Sequence, residues 1–175
     1  MKKAMIIIFM LLICLSFLSS PSSAGEFTII KIYDGDTIMA EGHDIVLYVL
    51  LAGVDAPEIA SRNHEQDQPF GQEAKQYLEN TILNKRVEIK GYGIGPHPYN
   101  HLIGEVFLGD TNINIELIKE GLAEVWREKP PEGLAIDYYF KAQEEAKKAG
   151  RGIWSLGEKY VSPGDWRKIH MKRLQ

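Results

Sequence analysis

The hydrophobic spacing along the chain changes character three times. From Phe27 to Ala40 β-branched residues dominate, and the run is broken once, by Asp34-Gly35-Asp36. Ile45 to Val54 then continues for ten residues without a charge, too β-branched and too closely followed by Gly and Pro to favour a helix. These segments predict strands meeting around turns. After Pro69-Phe70-Gly71 the spacing lengthens: Ala74, Tyr77, Leu78, Thr81 and Ile82 fall at i, i+3, i+4, i+7 and i+8, one apolar stripe of a helix. Val87-Glu88-Ile89-Lys90 alternates as a half-exposed strand, Gly91 to Pro98 predicts a loop, and Leu102 to Leu108 returns as a strand ending at Gly109-Asp110. A second helix is expected from about Asn114 to Val125, burying Leu117, Ile118 and Leu122, and a third from about Ile136 to Ala149, stopped by Gly150. Trp154 is assigned to the core.

Strands first, one helix between strands and two helices at the end describe a mainly β fold with α elements. The small β-barrel of the oligonucleotide/oligosaccharide-binding kind (OB-fold), with helices packed around it, has that order. No internal repeat interrupts it.

The N-terminus adds a targeting signal to this picture. Lys2 and Lys3 precede an uncharged apolar stretch from Ala4 to Leu18, and Ser22-Ser23-Ala24 offers small residues for cleavage. Fifteen apolar residues fall short of the ~20 that a spanning helix needs, so residues 1–24 are expected to be a signal peptide and no membrane span is expected after cleavage. Cys14 lies inside the apolar stretch behind Leu11-Leu12-Ile13, where a lipoprotein signal wants a small residue. The mature chain would then hold no cysteine and be exported, either secreted or kept in the periplasm or cell envelope, with its core alone to stabilise it. Residues 25–160 are expected as one domain and 161–175 as a basic C-terminal tail, in a monomer. Without Lys2 and Lys3 the 20 basic residues become 18 against 24 acidic ones, a formal charge of −6. An acidic total works against nucleic-acid binding, which draws affinity from replacing counterions along the phosphates. Lys85-Arg86 with Lys90, and Arg167, Lys168, Lys172 and Arg173, are the basic concentrations; both are read as solvated faces or frayed terminus.

The chemistry sits at two turns. Asp34-Gly35-Asp36-Thr37 falls where a strand bends, and Asp55-Ala56-Pro57-Glu58 follows the long apolar strand, so pairing would gather several carboxylates at strand ends. Clustered oxygens suit a hard divalent cation, and Pro57 fixes a turn that would aim the Ala56 carbonyl and Glu58 inward. Taken singly, each motif is also ordinary turn chemistry.

Ile32-Tyr33-Asp34-Gly35-Asp36-Thr37, Gly53-Val54-Asp55-Ala56-Pro57-Glu58 and Phe70-Gly71-Gln72-Glu73-Ala74 come in an order that resembles the staphylococcal (thermo)nuclease family. Glu120-Gly121-Leu122-Ala123 and Gly152-Ile153-Trp154-Ser155 are similar to its later segments. The resemblance implies a five-stranded barrel with about three helices and a Ca²⁺-dependent phosphodiesterase, other divalent cations remaining open, that cuts DNA and RNA. It implies Asp36, Asp55 and the Ala56 carbonyl as metal ligands and Glu58 as the group that activates water. It also places Tyr99 near the nucleotide and Trp126 in a segment that carries aromatic contacts, where packing against the barrel is an equal alternative for Trp126.

Two departures accompany the resemblance. Leu50 and His101 stand where the family has arginines that grip phosphate. A guanidinium donates two directed hydrogen bonds and keeps its charge, and losing one such donor can cost ~10³ to 10⁵ in rate. A protonated His101 is one substitute, favoured if carboxylates lie beside it; Arg62, Arg127 and His64 are further candidates without a fixed direction. Three functions therefore stand side by side: a nuclease of weakened activity, a non-catalytic OB module binding nucleic acid or metal, and a partner-binding exported domain. If only the grips are missing, Leu50→Arg together with His101→Arg should raise phosphodiesterase activity, measured as oligonucleotide hydrolysis. An inert, folded double variant would mean that the site lacks more than cations.

Overall fold

The computed structural model describes residues 25–61, 66–96 and 100–170. Its elements are β1 (Glu26–Ile32), β2 (Thr37–Gly42), β3 (Ile45–Leu51), β4 (Val54–Asp55), α1 (Gly71–Ile82), β5 (Arg86–Ile94) and β6 (Leu102–Leu108). Then follow β7 (Thr111–Asn112), α2 (Ile113–Lys119), β8 (Glu124–Val125), α3 (Ile136–Lys148), a 3₁₀ segment over Gly152–Lys159, and α4 (Pro163–His170). The main sheet runs β3-β2-β1-β5-β6-β7, and β3 also pairs in parallel with β6 through Val49↔Leu102, Leu50↔Ile103 and Leu51↔Gly104. That extra pairing closes five strands into an OB-type barrel, with β7 as an addition to β6.

The two-residue period of each strand sorts its side chains. Ile29, Ile38, Val49 and Val106 are fully buried inside the barrel, while the neighbours Ile30 and Tyr48 face outward. The helical stripe expected from the sequence covers the barrel on α1, where Ala74, Leu78 and Ile82 are completely buried. The apolar run beginning at Ile45 is not one strand. It stops at Leu51, turns through Gly53 at φ 72°, and re-emerges as β4, which leaves the barrel to pair with β8 through Val54↔Val125 and Asp55↔Glu124. The same pairing shortens the second helix to Lys119, because Gly121 turns the chain at φ 69° and Glu124-Val125 are drawn into β8. Strand β5 extends to Ile94, past the Gly91 at which a loop was expected. Helices α1 and α3 match their expected spans closely, and α4 is a helix beyond the three that the sequence suggests.

Gly121 also explains Gly152. A side chain at either residue would collide with the backbone of the other segment, and the Ile153 amide donates to the Gly121 carbonyl at 2.8 Å. This contact seats Ile153 in the core. Trp154, assigned to the core from the sequence, instead sits half-buried, against Tyr160 (ring centroids 4.9 Å apart) and beneath the Lys147 ammonium (4.8 Å). The core position is taken by Ile153, which is fully buried.

Two polar groups join the layers. Glu105 on β6 accepts from Tyr139 of α3 at 2.8 Å and from Asn112 at 2.8 Å, and also from the Tyr92 hydroxyl. Burial pushes the Glu105 carboxyl up, but these donors and the nearby Lys90 outweigh it and hold it below the usual carboxylate range. Asn114 is completely buried at the start of α2. Its Oδ1 accepts from the Val106 amide at 3.0 Å, and its Nδ2 donates to the carbonyls of Ala52 (3.0 Å) and Gly104 (3.1 Å). It thereby binds α2, β6 and the turn that leads to β4. Asn114→Ala would strand buried backbone groups, and we expect a loss of about 3 kcal/mol, read from urea denaturation; a loss below about 1 kcal/mol would show that the three segments are held by packing alone.

Candidate functional site

The first turn is organised by its own side chains. Asp34 Oδ1 accepts from the amides of Asp36 (3.1 Å) and Thr37 (2.7 Å), so Asp34 builds the turn. Gly35 lets that turn sit against the second one: a Cβ there would lie 2.6 Å from the Ala56 Cβ and 2.7 Å from the Ala74 Cβ. Asp36 consequently meets Ala56, with Oδ2 accepting from the Ala56 amide at 3.0 Å and Oδ1 from the Thr37 hydroxyl at 3.0 Å.

Buried Gln68 holds the second turn. The Gln68 amide donates to the Glu58 carbonyl at 2.8 Å, and its side-chain oxygen accepts from the Glu58 amide at 3.1 Å. Its Nε2 donates to the Val161 carbonyl at 2.7 Å, tying the Glu58 loop to the chain just ahead of α4. Asp55 is 3% exposed and faces Glu124, itself 3% exposed, across the β4–β8 pair.

Residues 163–170, taken from the sequence as part of a basic tail, are helical and reach this site. The Ser162 hydroxyl accepts from the Asp165 amide at 3.1 Å and donates to its carboxylate at 2.7 Å, starting α4 with Pro163 in the first turn. The helix carries Arg167 onto the carboxylates. Its Nη1 lies 2.8 Å from Asp55 Oδ1 and 2.7 Å from Glu58 Oε1, and its Nη2 lies 3.3 Å from Asp55 Oδ2. The Trp126 ring lies against the guanidinium, 5.4 Å from centroid to carbon. Beside them opens a cleft of about 390 Å³ lined by Asp55, Trp126, Arg127, Arg167 and Lys168 among others.

The charges are only partly balanced. Burial pushes Asp55 up; the Arg167 bonds and charge pull it back, Glu124 and Glu58 push it up again, and the net effect is upward. Asp36 is driven well above the carboxylate range, first by desolvation and then by Asp34, with Asp55 and Glu58 adding to it against the Ala56 amide. Arg167, which desolvation alone would weaken, is kept protonated by Asp55 and Glu58. Among the described residues no three His, Cys, Asp or Glu side chains gather as ligands of one ion. The donors present are nonetheless hard oxygens, and no described cation hydrogen-bonds Asp36; a divalent cation fits that donor set.

The expected substitute cations fare differently. His101 stacks on Tyr48 (centroids 5.5 Å, interplanar 11°), which stacks on Tyr33 (5.8 Å, 27°). Burial lowers the His101 pKa and Asp34 only partly opposes this, an environment that disfavours the charged ring. Arg127 grips Glu124 instead, with Nε 2.8 Å from Oε1 and Nη2 3.0 Å from Oε2. Tyr99, Arg62, His64, Lys172, Arg173 and the segment 1–24 lie outside the described residues. Arg167 and Gln68 were missed. A signal for α4 was present in Ser162-Pro163-Gly164-Asp165, a helix-start pattern, but nothing in the sequence aims Arg167 at Asp55.

The model for staphylococcal nuclease homologues matches residues 48–156, a span that contains Asp55, Glu58 and Trp126 and excludes Asp36 and α4. Among curated proteins, the chain is 32% identical over 133 residues to the probable endonuclease LCL3 of Komagataella phaffii, covering 71% of this chain and 55% of that protein. It is 34% identical over 135 residues to the probable endonuclease LCL3 of Debaryomyces hansenii, covering 74% and 56%. An uncharacterized endonuclease of Haemophilus influenzae is 30% identical over 142 residues, 80% of this chain and 71% of its own length. The chain thus spans little more than half of the LCL3 proteins it matches.

Since the Ser162 hydroxyl both caps and starts α4, Ser162→Ala should cost about 1 kcal/mol in thermal denaturation and speed amide exchange across residues 163–170. Unchanged exchange there would mean that the Arg167 ion pairs alone fix the helix.

Proposed function

The chain belongs to the staphylococcal nuclease homologue family, and on that premise we propose that it is a metal-dependent phosphodiesterase acting on DNA and RNA. The observation that carries this is the convergence of two turns: Asp36 accepts from the Ala56 amide at 3.0 Å, twenty residues away in sequence, while Arg167 spans Asp55 and Glu58. Acidic residues brought together at this cost in mutual repulsion suit a cation and a water-activating base more than a structural role.

In this reading Asp36, Asp55 and the Ala56 carbonyl would hold a divalent cation, Ca²⁺ first among the candidates. When bound, such a cation polarises the phosphoryl oxygen. Glu58 takes the proton of a water whose oxygen attacks phosphorus; the bond from phosphorus to the leaving oxygen breaks, and that oxygen takes a proton from solvent. Gln68 fixes the Glu58 backbone from both sides, which keeps the base in one place. Turnover is slower than in a site with two strand-borne arginines, because Leu50 brings no charge and His101 is held in an aromatic stack. We further propose export, with residues 1–24 removed. No helix among the described residues is long and apolar enough to cross a membrane.

The test is hydrolysis of single-stranded DNA and RNA with Ca²⁺, with other divalent ions and with chelator. We expect cutting that requires a divalent ion and falls at least about 100-fold in Asp36→Ala and in Glu58→Ala. A divalent-ion shift in Tm that disappears in Asp36→Asn would accompany it. A folded protein that cuts neither nucleic acid would overturn this reading in favour of a non-catalytic binding module, an alternative favoured by the guanidinium lying on both Asp55 oxygens.

A further inference from the structure

The strands of the barrel bring no cation to the carboxylates, yet a phosphodiester must approach Asp34, Asp36, Asp55 and Glu58 together. We propose that Arg167 contacts the substrate phosphate, which makes α4 a working part of the active site; this rests on the nuclease reading above.

Placement supports it first. The chain ahead of α4 is fixed by the Gln68–Val161 bond (2.7 Å) and by the Ser162 cap, and the first turn of α4 lies beside the site, the Cβ position of Gly164 being 3.6 Å from Arg167 Nη2 and 4.0 Å from Asp55 Oδ2. Donor count supports it next. Of the five N–H groups on a guanidinium, three bond Asp55 and Glu58, so two remain for an incoming oxygen. The side chain is 27% exposed and borders the cleft of about 390 Å³, so a phosphate group can reach it. Trp126 lies in the same cleft, where a base can stack beside the gripped phosphate. Charge completes the case: Arg167 is the one described cation hydrogen-bonded to Asp55 and Glu58, whereas Arg127 is committed to Glu124. Its residue number puts it beyond the span shared with the family model, so this grip comes from a different part of the chain than Leu50 and His101.

The variants R167Q and R167K separate contact from bracing, since glutamine keeps a donor for Asp55 without charge and lysine keeps charge without the fork. We expect R167Q to lower kcat about 10²- to 10³-fold, R167K to recover only a small part of it, and L50R in the R167Q background to restore at least about tenfold. Binding of a phosphorothioate single-stranded oligonucleotide, followed as salt rises, should lose about 0.7 from its log–log slope in R167Q, one phosphate contact on a single strand. Thermal denaturation identifies any variant that has unfolded; if R167Q has, the slope comparison moves to wild type against the charge-neutralised pair D55N/R167Q. Folded R167Q that cuts as fast as wild type or faster, with an unchanged slope, overturns the proposal and leaves Arg167 as a brace or plug. Should wild type cut nothing, the nuclease reading fails by itself, and the slope still decides whether Arg167 touches phosphate.

Discussion

Two buried carboxylates facing each other across a two-residue strand pair set the terms for everything around them. Asp55 on β4 and Glu124 on β8 are each 3% exposed and directly opposed, an arrangement that costs free energy unless each acid has a cation. Arg127 answers Glu124 from the same strand end. Arg167 answers Asp55 from more than a hundred residues away, so the chain after the 3₁₀ segment must return to the barrel mouth and fold there as α4. Replacing such acids by apolar residues would be neutral or stabilising in many proteins. Keeping them at a cleft suits chemistry more than stability.

The barrel and its helices act as a frame for that cluster. Asn114 fixes the turn between β3 and β4, Gly35 lets the first acidic turn touch the second, and Gln68 clamps the Glu58 backbone while reaching Val161. Each contact joins segments distant in sequence, and each uses a side chain or glycine with little room to move. Glu58, Asp36 and Arg167 are therefore held by supports that fix their positions.

Leu50 and His101 bring no guanidinium to the site, yet Arg167 places one on Asp55 and Glu58. His101 contributes its ring to a stack with Tyr48 and Tyr33, and the cation arrives by another route. A fold can keep its carboxylates and move the groups that accompany them, because the helices outside the barrel can carry side chains to its mouth from several directions. The net charge of the chain says little about this. A single half-buried guanidinium at 2.7 to 2.8 Å from two carboxylates outweighs distant surface charges that solvent screens.

By itself the sequence determined the elements whose patterns are periodic and local: the α1 stripe at Ala74, Leu78 and Ile82, the alternating strands, and the two acidic turns at Asp34–Asp36 and Asp55–Glu58. Their periods and turn residues encode structure within a few neighbours, and the family resemblance followed from the same motifs. Only the tertiary structure decided that Ile45–Val54 splits at Gly53 to feed β8, that Trp154 yields the core to Ile153, and that His101 stacks on Tyr48. It alone placed Arg167 on Asp55 and Glu58. An arginine in a short, polar segment carries no periodic signal of where it points; its direction came from a capped helix and from the pull of Asp55 and Glu58, more than a hundred residues away in the chain.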